Sequence, residues 1–269
     1  MMQRILITGS SGFIGSSLCA FLKNQDVPCL GVSRTQGNDT DILIKSYKDV
    51  IKYNDGKTLL INLAGNNSDI NDNEIDYTIA LSNEFRNNMI FMSSAQVYGH
   101  GFNKAVDENE VLSNLNEYCK SKIYLEKVIL KNNGLAIRLS NIYGKGMSPN
   151  NIFSYIHSQL MKNNKDIVID NINAVRDFLY IDDLCECLYK IISGKIENST
   201  LNVGAGIGTD VKALFQYICS SLGIDYNDKN IISNESKNDK LILDIKRLSG
   251  LYNWTPKTSV EKGIDQWLK

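Results

Sequence analysis

Histidine is almost missing from this chain, which has only His100 and His157 in 269 residues. That scarcity argues against a histidine-based metal centre, and each reads better as a surface or packing residue. No metal site is expected. Net charge is missing too, since 29 Lys and Arg against 30 Asp and Glu leave −1. So balanced a chain offers no electrostatic case for binding nucleic acid or an anionic membrane surface. No apolar run approaches the length of a membrane span, and because the sequence enters its first strand at once, no signal peptide is expected. Cysteines stand at 19, 29, 119, 185, 187 and 219, without the paired spacing of metal sites. Reduced, mostly buried thiols in a cytoplasmic protein are the expectation, with Cys185 and Cys187 on different faces of one helix. There is no internal repeat and no low-complexity segment. What is there is an ordinary globular composition, 43% hydrophobic and 22% charged, in a chain long enough for a large core.

The most informative stretch is Arg4 to Gly15. A short apolar strand is followed by three glycines at GxxGxxG spacing and by a helix with apolar periodicity. A glycine loop between a buried strand and a helix N-terminus is an anion site, because backbone N–H groups and the helix dipole both favour a pyrophosphate. Gly9 suits the tight turn, Gly12 the close approach of backbone to ligand, and Gly15 the packing of helix on strand. Ser11, Phe13 and Ile14 belong to the same loop and helix start. The second strand, Val27 to Ser33, ends in Ser33-Arg34, with no acid until Asp39. An acid there would suit a ribose 2′-hydroxyl, whereas an arginine suits a 2′-phosphate. The cofactor expected is NADP, with NAD as the alternative.

Further strands are expected at Asp41 to Ile44, Thr58 to Ala64, Met89 to Met92 and Leu135 to Leu139. Helices are expected near Lys48 to Tyr53, Glu74 to Arg86 and Glu117 to Leu130, and a polar loop over 66–73. Alternating apolar strands and helices argue an α/β fold, a doubly wound parallel (Rossmann) sheet. Ligands sit outside the carboxyl ends of such strands, where Gly9, Leu63-Ala64-Gly65, Ser94 and Asn141 all fall. Beyond Met147 the pattern loosens, with helices expected at 151–162, 182–192, 211–222 and 260–268 and short strands at 167–169 and 201–203. The expected division is a dinucleotide-binding domain over 1–146, to which some later segments return. A small α/β substrate lobe then occupies mainly 147–269.

Chemistry points to Tyr118 and Lys122. Four residues apart on a helix, they share a face, and a cation beside a phenol favours the phenolate. Such a tyrosine can protonate a ketone oxygen or deprotonate an alcohol. Ser94, at a strand end, supplies a hydroxyl able to orient the same oxygen and share its developing charge.

These motifs together resemble an extended short-chain dehydrogenase/reductase of the NAD-dependent epimerase/dehydratase family, whose members mostly act on nucleotide-activated sugars. The resemblance rests on TGSSGFIG (8–15), LAG (63–65), SSAQVYG (93–99), YCKSK (118–122), RLSNIYGKG (138–146), RDFLYIDD (176–183), LNVGAG (201–206) and the closing segment 250–264. It implies Ser94, Tyr118 and Lys122 as the catalytic triad, with Lys122 also holding the nicotinamide ribose. It implies Leu63, Ala64 and Gly65 beside the cofactor ribose, and Asn141 and Arg176 on the substrate's diphosphate, with Gln96 a further substrate contact. A homodimer through the helix carrying Tyr118 and the helix before it also follows from the family.

Three departures narrow the reading. The acidic pair that family dehydratases place after the catalytic hydroxyl is Ala95-Gln96 here. The acid usual at the second strand is Ser33-Arg34. The arginine often seen before the segment of Asp244 is absent, with Lys237 or Lys240 as substitutes. The function expected is an NADP(H)-dependent reductase of a keto group, at C4, on a nucleotide-diphospho-sugar. An NAD-dependent nucleotide-sugar 4-epimerase is the alternative, and a non-catalytic dinucleotide-binding scaffold the third reading.

Overall fold

The computed structural model describes residues 4–65, 72–113, 115–162, 165–233 and 239–269, and of Asp228 the backbone only. Lys237 and the polar stretch 66–71 therefore lie outside the described residues. The first half runs β1 (Ile5–Thr8), α1 (Phe13–Asn24), β2 (Cys29–Ser33), β3 (Ile42–Leu43), β4 (Leu59–Asn62), α2 (Asp72–Glu84), β5 (Met89–Ser94), α3 (Glu117–Lys131) and β6 (Leu135–Leu139). Two 3₁₀ helices, Tyr47–Tyr53 and Ala95–Tyr98, follow β3 and β5. The second half runs β7 (Asn141–Tyr143), α4 (Ile152–Met161), β8 (Asp166–Ile169), β9 (Val175–Tyr180), α5 (Ile181–Ser193), β10 (Thr200–Val203), β11 (Gly208–Asp210) and α6 (Val211–Ser221). It closes with β12 (Asn230–Ser233), β13 (Lys240–Leu241), α7 (Lys246–Tyr252) and α8 (Val260–Leu268).

Seven parallel strands form the main sheet in the order β10-β6-β5-β4-β1-β2-β3. Its strands are almost continuously apolar because both faces are covered. Alternate residues point to opposite sides. Ile5, Ile7, Leu59, Ile61, Ile90 and Ile137 pack with Leu18 and Leu22 of α1 and Leu184 and Leu188 of α5. Leu6, Leu60, Phe91 and Ala136 pack on the other side with Tyr47, Tyr77, Leu81 and Ile129. The glycine loop, Leu63-Gly65 and Ser94 leave one edge of this sheet, since β1, β4 and β5 run parallel in register.

The late segments are interleaved with the early ones. Strand β10 pairs with β6 from Thr200↔Ala136 to Val203↔Leu139 and forms the edge of the main sheet. Helix α5 lies against α1, with the rings of Phe21 and Tyr189 6.1 Å apart. Cys185 and Cys187 are consequently both buried, as α5 is covered on more than one side. Outside the main sheet, β11, β13 and β7 gather around β9, and β8 pairs with β12. Strands β7, β9, β11, β12 and β13 and helix α7 are additions to the sequence expectation.

Candidate active site

Gly9 ends β1 with φ +73, and a Cβ there would fall 2.8 Å from the Leu63 carbonyl oxygen. A Cβ on Gly15 would strike the Gly9 carbonyl, so only glycine lets α1 start this close to the loop. Gly12 is the N-cap residue and supplies no side-chain cap, which leaves first-turn N–H groups of α1 without a side-chain acceptor. Together these features fit the pyrophosphate of a dinucleotide.

Two adjoining cavities open over the strand ends. The larger, of 680 Å³, is lined by Gly9, Ser11, Gly12, Ser33, Arg34 and the Leu63-Gly65 turn. The smaller, of 190 Å³, shares Gly9, Gly12 and that turn and adds Phe13, Ile14, Gly15, Tyr118 and Lys122. Every residue that the sequence nominates for the cofactor therefore lines one or the other. At the outer end the Ser11 hydroxyl is 2.7 Å from that of Ser33 and 2.8 Å from that of Thr35. The Arg34 guanidinium rests over the Tyr47 ring, 5.2 Å from its centroid.

Helix α3 starts at Asn116, whose side chain accepts from the Cys119 N–H at 2.8 Å. That cap fixes the first turn, which carries Tyr118. The Ser94 hydroxyl accepts from the Gln96 N–H at 3.2 Å and stands near enough to the Tyr118 phenol to favour its ionised form. The Lys122 ammonium is buried, donates to the Met92 carbonyl at 2.9 Å, and sits 5.7 Å from the Tyr118 ring centroid. Burial pushes Lys122 down to about 8, while Glu74 and then Glu126 pull it back up.

The expectation that Lys122 lowers the phenol is corrected here. Burial raises Tyr118 above the ordinary phenol range, the nearby Ser94 hydroxyl offsets part of that rise, and the ammonium is engaged by a backbone carbonyl instead. Sequence reasoning also missed two carboxylates. Glu74, in the first turn of α2, is buried against Gly65, where an added Cβ would collide with its Oε1. Glu126, one turn beyond Lys122, is buried in an ion pair with Arg138, whose Nη2 lies 2.8 Å from its Oε2. That pair continues into Ser93, which donates to Glu126, and Tyr98, which accepts from Arg138 at 2.9 Å. The helical spacing of Lys122 and Glu126 was the available signal for the second. The first had none, because Glu74 meets the site only through the fold.

Ser94, Gln96, Asn141 and Arg176 line neither cavity, although Ser93, the residue before Ser94, lines the smaller one. Gln96 lies in the 3₁₀ turn after Ser94, and its carbonyl accepts from the Cys119 thiol. Asn141 donates to the Asp177 carbonyl at 3.2 Å. Arg176 pairs with Asp239 at 2.7 Å and not with its neighbour Asp177. Asp177 is buried and accepts from the N–H groups of Ala205, Gly206 and Leu243, tying β9 to the 201–206 turn. Burial raises its carboxyl to about 6 despite those bonds.

Known proteins resemble this chain in sequence and fold. Residues 5–204 match the profile described as the NAD dependent epimerase/dehydratase family. A GDP-6-deoxy-D-talose 4-dehydrogenase of Aggregatibacter actinomycetemcomitans is 29% identical, over 87% of this chain and 84% of its own. A putative UDP-glucose 4-epimerase of Methanocaldococcus jannaschii is 28% identical over 98% of both chains. Among solved structures, a dTDP-glucose 4,6-dehydratase from Bacillus anthracis in complex with NAD superposes with a TM-score of 0.86. It is 18% identical, over 99% of this chain and 95% of its own.

Proposed function

The chain belongs to the NAD-dependent epimerase/dehydratase family, as an enzyme of the extended short-chain dehydrogenase/reductase type, and on that premise we propose that it reduces a C4 keto group on a nucleotide-diphospho-sugar, with NADPH as reductant. The observation that carries this reading is Tyr118 and buried Lys122 lining one cavity with the glycine loop, with the Ser94 hydroxyl acting on the phenol from the end of β5. A bound nicotinamide supplies the hydride. Ser94 holds the substrate oxygen by a hydrogen bond from its hydroxyl, and the Tyr118 phenol gives that oxygen its proton. The Lys122 ammonium, turned to the Met92 carbonyl, lines the same cavity as Gly12 and Tyr118, where it can hold the nicotinamide ribose. Arg34, Ser33, Thr35 and Ser11 at the outer cavity support the 2′-phosphorylated cofactor. The 4-dehydrogenase relative supports chemistry at C4, and Ala95-Gln96 after the catalytic serine supports reduction over dehydration.

A panel of nucleotide-linked 4-keto-6-deoxy sugars, incubated with the enzyme and NADPH and followed at 340 nm, tests the proposal. Oxidation of NADPH with at least one member is expected, and none across the panel refutes it. The second reading, a 4-epimerase with retained NAD, is favoured by the likeness to the putative UDP-glucose 4-epimerase. Denaturing the purified protein separates the two: stoichiometric release of NAD supports the epimerase, and empty or exchangeable NADP supports the reductase.

A further inference from the structure

The outer cavity contains more positive charge than the end of β2 supplies. Strands β2 and β3 pair in parallel with Val32↔Ile42 and Ser33↔Leu43, and the Ile44 N–H continues the ladder to the Ser33 carbonyl at 3.0 Å. Beyond that matched pair both segments bend away from the sheet, and Lys45 lines the same cavity as Ser11, Ser33 and Thr35. The chain then turns into the 3₁₀ helix Tyr47–Tyr53, fixed by a reciprocal cap between Ser46 and Asp49. This cap places Lys48 in the first turn, one residue past the ring on which Arg34 rests. Arg34, Lys45 and Lys48 all line the 680 Å³ cavity. Glu74 and Asp76 line it too, yet among the described residues none of the three cations takes a carboxylate partner. Cations left unpaired in one concave site, beside hydroxyl donors, match a dianionic phosphate.

We infer that Lys45 and Lys48 form the second jaw of a phosphate clamp whose first jaw is Arg34, and that the clamp closes on the adenosine 2′-phosphate of NADP(H). The inference rests on the NADP reading above and deepens it by assigning the discrimination to the β3 side of the site. Arg34 alone is a single cation tied to an aromatic face. With the two lysines, a phosphate over the Ser11–Ser33–Thr35 hydroxyls meets positive charge from both neighbouring strand ends.

The test uses the full chain and two probes that differ in this phosphate, adenosine 2′,5′-bisphosphate and 5′-AMP, with binding read by calorimetry. Wild type is expected to bind the bisphosphate about tenfold tighter or more, the worth of one or two charge-assisted hydrogen bonds. Lys45→Ala/Lys48→Ala is expected to lose most of that preference while its affinity for 5′-AMP changes by less than about twofold. Lys45→Arg/Lys48→Arg, which keeps the charge, is expected to retain it. Two results overturn the lysine assignment while leaving the cofactor reading intact: an unchanged preference in the alanine variant, or an equal loss on both probes. A wild type without preference for the bisphosphate overturns the cofactor reading and the clamp together. Thermal melting of both variants guards against misfolding, and if the alanine pair melts early, Lys48→Gln alone carries the test.

Discussion

At the scale of single residues, the site depends on holding a lysine where a lysine is costly. In an unfolded chain Lys122 keeps its proton to about pH 10.4, whereas the folded site pushes the value down to about 8 through burial. Between those values the unfolded state binds more protons, so stability rises with pH across that window. Below pH 8 the fold carries the full penalty, on the order of 3 kcal/mol. Lys122→Met is therefore expected to melt above wild type at pH 7, with the difference closing as the pH approaches 10. Differential scanning calorimetry at several pH values checks this, and a pH-independent gap would contradict it. Tyr118→Phe is expected to lower kcat by about 10²–10⁴-fold, the range for losing a positioned proton donor, with little change in melting temperature. Single-turnover assays with the substrate found in the panel measure that loss.

At the scale of elements, the Glu126–Arg138 pair joins α3 to β6 one turn beyond Lys122, so it helps set where α3 sits on the sheet. Both partners are buried, and removing one leaves an uncompensated charge. Glu126→Leu is expected to cost about 3–5 kcal/mol, and Glu126→Leu/Arg138→Met to recover most of it. Urea unfolding of the single and double variants checks the cycle. The same elements show what the sequence made legible. The strands of the parallel sheet were readable because apolar runs such as Leu59–Asn62 and Met89–Ser94 stand between glycine or serine turns and helices. Helices α3 and α8 were expected over nearly their full lengths, and the structure caps their starts with Asn116 and Ser259, which the sequence reading had not singled out. Strands such as β9, which reads Val-Arg-Asp-Phe-Leu-Tyr, were not, because their burial is set by partners far along the chain. The cofactor cradle was legible for the same local reason as the sheet. Glu74 and the turn of buried Lys122 toward the Met92 carbonyl depend on distant packing and were not.

At the scale of the whole molecule, the order of strands in space departs from their order in the chain. The main sheet gains its edge from β10, and α5 covers α1, although both come after β9. A fragment ending at residue 146 would leave the β6 edge unpaired and the apolar face of α1 bare. It is expected to aggregate or to remain a poorly packed state, with far-UV signal but broad melting. A fragment extended to residue 206 would restore both and is expected to be better behaved in the same measurement, although it lacks the partners of Asp177 beyond Gly206.

The position of β10 also bears on how the polypeptide is made. About 60 residues separate β6 from β10, and at roughly 5–20 residues per second a ribosome needs ~3–12 s to synthesise them. During that interval the nascent sheet presents a bare strand ready to pair with any neighbour in the polysome, and a chaperone that shields such edges would raise the yield of active enzyme.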